Sequence, residues 1–586
     1  MRSRLDSLLR DALRSLEESD GWPGLAETDP ELERSRDPRH GDFTSNVAMR
    51  VAKSYGRTPR EFAKALTGRL AASELIESAE VAGPGFVNLR LSAQAIEQEL
   101  RRVLEEGESY GSSDRAGGLR VLVENVSTNP TGPLHVGHGR IAAYGASLAN
   151  LLRATGHAVD EEYYVNDAGR QIDILAASVW LRYVEALGTV LPFPANAYQG
   201  GYVREIAARL VERHSSALSG DTAAVAADLA ASGGDGDGDG DKRMDLLIAS
   251  IKKSAGERAF AIVLNAALDD MLADIRDDLE GFSVRFGRWF SERSLTGGGA
   301  VGRALKMLDD TGFLYRKDGA TWFRSSSLGD DKDRVVVREN GTTTYFASDI
   351  AYHLDKCERG YDLLLNVLGA DHHGYTTRLS AAVEALTERS DCLEARLVQF
   401  VVLYRGDVKA QMSTRSGEFV TLRALREEIG NDAARFIYVS RSNDQHLDFD
   451  LELAQSQSND NPVYYVQYAH ARIASMLRRM AADGLARPEV ERIDLGALEQ
   501  PEERALMVVL GRFPEIVQLA ADNRAPQHVV HYVRGIAAEF HAYYNAHRIL
   551  VDDDAVRGAR VTLALAVMCV IRNALGLLGV SAPESM

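Results

Sequence analysis

The chain has 586 residues, 45% of them apolar, which is enough for several cored domains. Its formal net charge of −18 excludes a surface that is basic throughout, so any nucleic acid must be met by a local patch. Three cysteines, Cys357, Cys392 and Cys569, with no CxxC pair, exclude a disulfide framework and a cysteine zinc site and suit a reducing cytoplasm. The most apolar run, VTLALAVMCVI at 561–571, stops at Arg572 and Asn573, short of the roughly 18 residues a membrane span needs. No membrane association is expected.

The N-terminal run places Leu5, Leu8, Leu9, Ala12, Leu13 and Leu16 on one helix face. Its acids Asp6, Asp11, Glu17 and Glu18 argue against a transit peptide. AEVAGPGFVNLRL then reads as a turn at Pro84 and Gly85 between alternating strands. GESYGSSDRAGG at 107–118 is a linker by composition, so residues 1–112 are expected to form a separate α+β domain.

From 113 to 430 strands and helices alternate, the pattern of a parallel α/β sheet. LRVLV reads as a buried strand and IAAYGASLANLLRATG as a helix stopped at Gly156. Between them lies ENVSTNPTGPLHVGHGR, Glu124 to Arg140, a turn opening a helix at a strand's carboxyl end, where open sheets bind ligands. Unpaired N–H groups there attract phosphate. His135 and His138 share the first turn's face, and Gly137 leaves room for a flat ligand. Two imidazoles so placed can donate to a phosphoryl group as charge shifts onto it. HAVDEEYYVND is expected as a second strand and DAGRQIDILAASVWLRYVEAL as the next helix. The segment 215–242, ending SGGDGDGDGDK, imitates a calcium loop but has Leu246 at the twelfth position, so a disordered acidic insertion is expected.

Tyr345 and Asp349 are four apart on a helix, and a carboxylate beside a phenol suits a guanidinium. NVLGADHHGYTTRL repeats the strand–turn–helix arrangement. Its His372 and His373 lack an acidic partner at helical spacing, and no metal site is expected. LYRGDVKAQMSTRSG carries Lys409 and Arg415 among small residues, a cationic loop suited to a polyphosphate. From 431 to 586 the chain reads as a helical bundle.

HVGH followed by QMSTRSG resembles the paired HIGH and KMSKS signatures of class I aminoacyl-tRNA synthetases. With GDFTSNVAM, GPGFVN, NPTGPLHVGH, TYFASDIAYH, GADHHGY, NPVYYVQYAHARI and LLGVSAPESM, the chain resembles bacterial arginyl-tRNA synthetases from end to end. That resemblance implies a Rossmann-type catalytic core, an N-terminal tRNA-contacting domain and a C-terminal anticodon-binding helical domain. It implies activation of L-arginine with ATP and Mg2+ carried by the phosphates, then transfer to tRNA(Arg), by a monomer in the cytoplasm. It assigns ATP to His135, Gly137, His138, Asp371, His372, Met412 and Ser413, and arginine to Glu124, Asn129, Tyr345 and Asp349. Gln411 and Thr414 replace the family's loop lysines, and Gly132 supplies no substitute, which leaves Arg415 and Lys409 as catalytic cations. Arg435, Arg441, Arg472, Arg478 and Arg479 are the arginines expected to meet tRNA phosphates. A nucleotidyltransferase without tRNA would need neither end domain, and a non-catalytic tRNA-binding relative would lack the histidines. A sister synthetase for cysteine or glutamate is disfavoured by the absent zinc cysteines and by Tyr345 with Asp349.

Overall fold

A computed structural model describes the whole chain except residues 36, 71, 232–239, 298, 407 and 410–419. The first helix, Arg2–Asp20, buries Leu5, Leu9, Ala12, Leu13 and Leu16, the face read from the sequence. It ends where Gly21 takes a left-handed conformation (φ 68°). An antiparallel sheet runs beside it in the order Leu32–Arg34, Phe43–Ser45, Phe86–Leu91, Ile76–Ala82.

The central sheet is built from β1 (Arg120–Asn125), β2 (Ala158–Val165), β3 (Arg288–Ser291), β4 (Leu363–Gly369) and β5 (Leu393–Val398). All its pairs are parallel, in the order β5-β4-β1-β2-β3. Chain order therefore reverses between β1 and β4, and the crevice at their carboxyl ends is the switch point of the sheet. Helix α1 (Val136–Ala154) leaves β1, and α2 (Arg170–Ala186) follows β2. Helix α3 (Glu257–Gly281) belongs to a helical insertion with a core of its own around Trp180, Leu247 and Phe260. Helix α4 (Tyr345–Glu358) precedes β4, and α5 (His373–Thr387) follows it.

Two expectations need correction. The segment 215–242 contains helix on either side of 232–239: after a turn at 215–221, Thr222–Ala231 buries Val225 and Leu229, and Gly240–Ala255 begins within it. Alanine-rich TAAVAADLAA is a strong helix former, and the glycine–aspartate composition hid it. The calcium-loop residues Asp235, Asp237 and Asp239 lie outside the described residues. The stretch after 431 is also not wholly helical. β7 (Leu447–Asp450) lies parallel to β6 (Val401–Arg405), so the α/β layer draws a strand from the C-terminal third.

Beyond β7 the chain is helical, with α6 (Pro462–Ala482), α7 (Gln527–Ala546) and α8 (Asp554–Leu577) packed together. Helix α8 is long and apolar enough to cross a membrane, but it packs against α6, α7 and Ala93–Glu106 as a core helix. The end domains touch directly: Arg34 grips Glu515 with Nε and NH2, at 3.0 and 2.8 Å.

Candidate active site

Glu124, Asn129, His135, Gly137, His138, Tyr345, Asp349, Asp371 and His372, read separately along the sequence, line one cleft of about 550 Å³ at the switch point. The backbone leaving β1 is strained there: Val126 (φ 68°) and Ser127 (φ 43°) both have left-handed φ, costly for a β-branched residue.

His135 is the N-cap of α1, and its ring stacks on His138 with centroids 3.5 Å apart. His135 Nδ1 accepts from the N–H groups of Gly137 (3.1 Å) and His138 (3.3 Å), and His138 Nδ1 accepts from the N–H of His135 (3.3 Å). Val136 N–H donates to Val420 O (3.2 Å). The first N–H groups of this helix are therefore already engaged, which corrects the expectation that they would meet phosphate. What the turn presents is imidazole. With both Nδ1 atoms accepting, the proton of each neutral ring sits on Nε2, a donor. Burial lowers the pKa of His135 and brings His138 to about 3, so both rings are neutral at neutral pH, and the His138 Nε2–H donates to Thr128 Oγ1 at 3.2 Å. Gly137 also has a different reason from the one expected. A Cβ there would lie 2.9 Å from the His135 ring, so the glycine lets the two imidazoles stack.

The opposite end of the cleft is acidic. Glu124, Asp349 and Glu292 line it, with Tyr164, Tyr345 and Tyr352. Burial, then the charges of Glu124 and Glu292, push the Asp349 pKa well above the ordinary carboxylate value. Glu292 rises to about 7 through burial and the neighbouring charge of Asp167. Neither Asp349 nor Glu292 has an ion-pair partner among the described residues. Two crowded carboxylates with raised pKa values are what an incoming cation would relieve. Glu124 differs, because Lys356 Nζ lies 2.5 Å from its Oε2. Glu292 and Lys356 were missed in the sequence. Glu292 follows a four-residue strand with no periodic signal, and a helical lysine reads as a solvated surface. Between the ends, Asn129 Oδ1 accepts from Asn166 Nδ2 at 2.7 Å.

Ile141, Leu368, Leu379, Val398 and Phe400 form an apolar wall beside Asp371. Asp371 and His372 are exposed on the short turn Ala370–His372, 3.8 Å apart. Lys409 is exposed on the two-residue strand Val408–Lys409 and is not among the cleft's lining residues. Gln411, Met412, Ser413, Thr414 and Arg415 lie outside the described residues. Gly132 packs against the Tyr202 hydroxyl, which donates to Thr131 O at 2.6 Å. No group of three or more His, Cys, Asp or Glu side chains among the described residues could cage a metal ion.

The five arginines expected on a tRNA face separate. Arg435 is fully buried: its Nε donates to Leu578 O (3.0 Å) and its NH1 to Phe282 O (2.8 Å). It ties three segments together and cannot reach a phosphate, which corrects that assignment. Arg441, Arg478 and Arg479 are exposed. Arg472 is partly buried, its guanidinium 5.0 Å from the Tyr468 ring and 4.7 Å from the Tyr544 ring.

The family profile described as tRNA synthetases class I (R), catalytic domain, matches residues 99–192 and 252–474. That described as Arginyl tRNA synthetase N terminal domain matches 3–91, and the DALR anticodon binding domain matches 466–586. The chain belongs to the arginyl-tRNA synthetase family. The arginine–tRNA ligase of Thioalkalivibrio sulfidiphilus is 52% identical over the full length of both chains, and that of Halorhodospira halophila 51%. The solved arginyl-tRNA synthetase of Thermus thermophilus, 23% identical and covered completely by this chain, shares the fold with a TM-score of 0.74. This synthetase's acidic end and histidine turn thus lie at opposite ends of a class I cleft.

Proposed function

We propose that the chain attaches arginine to tRNA(Arg) in two steps, with the acidic end of the cleft holding the guanidinium and the histidine turn acting on ATP. The observation that carries the division is that Glu124, Asp349 and Glu292 line the same cleft as the neutral imidazole pair.

 The guanidinium sits against Asp349 and Glu292 beside Tyr345, and the substrate's α-amino and carboxylate groups lie towards Glu124 and Asn129. The adenine rests on the apolar wall of Ile141, Leu368 and Phe400, with Asp371 and His372 near the ribose.

In the first step an oxygen of the arginine carboxylate attacks the α-phosphorus of ATP and the bond from that phosphorus to the α,β-bridging oxygen breaks, releasing pyrophosphate and leaving arginyl-adenylate. No protein nucleophile is required; the chain positions the reactants and stabilises charge. His135 and His138 donate from Nε2 as negative charge grows on the phosphates. Being neutral, they leave the charge of the departing pyrophosphate to a cation, and Arg415 helped by Lys409 supplies it. Magnesium, when bound with ATP, would neutralise phosphate charge; among the described residues no group of three or more His, Cys, Asp or Glu side chains would hold it. In the second step the 2′-hydroxyl of the terminal adenosine of tRNA takes the arginyl group and AMP leaves.

tRNA phosphates meet Arg441, Arg472, Arg478 and Arg479, and the rings of Tyr464, Tyr468 and Tyr544 beside Arg472 offer stacking surface for unpaired bases. The chain works as a monomer in the cytoplasm. Charging of tRNA(Arg) with labelled arginine tests the reading: esterification should require ATP and be lost in Asp349→Ala. Charging that persists in that variant would reject the assignment of the acidic end.

A further inference from the structure

The polar groups beneath the acidic end form a chain with only one consistent direction. Lys356, fully buried on α4, places its ammonium 2.5 Å from Glu124 Oε2 and 3.0 Å from Asn366 Oδ1. An ammonium only donates, so the amide oxygen of Asn366 must face it. That turns the amide nitrogen of Asn366 towards His353 Nε2, 2.9 Å away, which must accept. His353 then carries its proton on Nδ1, which donates to the main-chain oxygen of Asp349 at 2.9 Å. Asn366 and His353 are only 2% and 3% exposed, so water does not compete for these bonds. Burial keeps His353 neutral, as the chain of donors requires.

Lys356 thus reaches the Glu124 carboxylate on β1 directly, and the main-chain oxygen of Asp349 through Asn366 on β4 and His353 on α4. We propose that Lys356 is the positioning residue of the arginine end, fixing Glu124 by ion pairing and the first turns of α4 through the Asn366–His353 chain. It does not line the cleft and touches no substrate. Its effect is to hold the Glu124 carboxylate and the turn of α4 that carries Asp349, on separate elements, in one fixed relation for a cationic substrate. This inference rests on the reading of Asp349 as a guanidinium carboxylate.

The test uses Lys356→Met, which removes the ammonium at similar length, and Asn366→Asp. The second variant keeps an acceptor for Lys356 but removes the donor to His353. Steady-state constants for arginine and for ATP are measured with tRNA(Arg) present, alongside Asp349→Asn. We expect both variants to raise the arginine KM at least tenfold while the ATP KM stays within twofold. A merely structural role would raise both constants together or lower kcat alone, and either result overturns the proposal. If Lys356→Met does not fold, Asn366→Asp alone decides. An arginine KM unchanged in Asn366→Asp overturns the proposal when Asp349→Asn does raise it. An arginine KM unchanged in Asp349→Asn overturns the reading of Asp349, and the inference with it.

Discussion

The two ends of the cleft solve opposite electrostatic problems. The arginine end concentrates three carboxylates, Glu124, Asp349 and Glu292, and relieves only Glu124 internally, through Lys356. The histidine end presents neutral groups: its imidazoles are partly buried and neutral, and its backbone N–H groups are already engaged. One end is poised for a cation before the substrate arrives. The other waits for charge to be brought by ATP and by cations outside the turn. In the proposed reading, selection and reaction fall to different physical devices in one cleft: carboxyl groups without an ion-pair partner for choosing the amino acid, and neutral imidazoles for the transition state.

The largest effects should come from unbalancing each end. Asp349→Ala should lower kcat/KM for arginine by about a hundredfold or more, because it breaks one half of a buried charge pair. An unchanged constant would erase the contrast. His138→Ala should slow adenylate formation by about a hundredfold, the effect of losing one transition-state donor, with a much smaller change in ATP affinity. Single-turnover rates separate the two quantities, and a pure loss of ATP affinity would contradict the assignment. Arg415→Ala should act on the same rate by a similar factor, about a hundredfold, if it brings the missing cation.

A smaller, pH-dependent effect sharpens the comparison. Glu292 titrates at about 7 in the empty cleft. A guanidinium favours the ionised form, so binding lowers that pKa. Arginine affinity is therefore full above pH 7 and weakens as pH falls through about 7, approaching tenfold per pH unit. The arginine KM measured from acid to alkaline pH should show this slope in the parent and a reduced slope in Glu292→Gln. The histidine end should add no inflection at the usual imidazole pKa, because burial has lowered both rings. The smallest effect concerns surface charge. Reversing Arg472, Arg478 and Arg479 together should weaken tRNA binding and flatten its salt dependence. Arg435→Gln should instead lower the melting temperature, since it abandons the carbonyls of Leu578 and Phe282.

The histidine end was legible in the sequence because its determinants are local. A strand, a Pro/Gly turn and a helix start lie within a few dozen residues, and the HxGH spacing fixes the stacked pair. Tyr345 and Asp349 were legible for the same reason, as neighbours on one helix. What the sequence hid depends on distant partners. Glu292 enters the cleft only because β3 pairs with β2, and Lys356 meets Glu124 232 residues away. Arg435 was expected to meet tRNA phosphates, yet its acceptors are main-chain oxygens 143 and 153 residues away. β7 is four residues long, too short for alternation to distinguish it from the helices around it. At Gly137 the His135 imidazole beside it in space gives the glycine a reason that the sequence did not show.

The most direct test of the division between the two ends is ATP–pyrophosphate exchange with arginine and with lysine, each with and without tRNA(Arg). Lysine offers one compact ammonium where Asp349 and Glu292 await a planar guanidinium, so it leaves carboxylate oxygens unpaired. We expect exchange with arginine and a kcat/KM for lysine lower by at least about a hundredfold, with the gap collapsing in Asp349→Ala because arginine loses its advantage. Equal exchange with lysine in the parent chain, or no exchange with arginine under either condition, would contradict it.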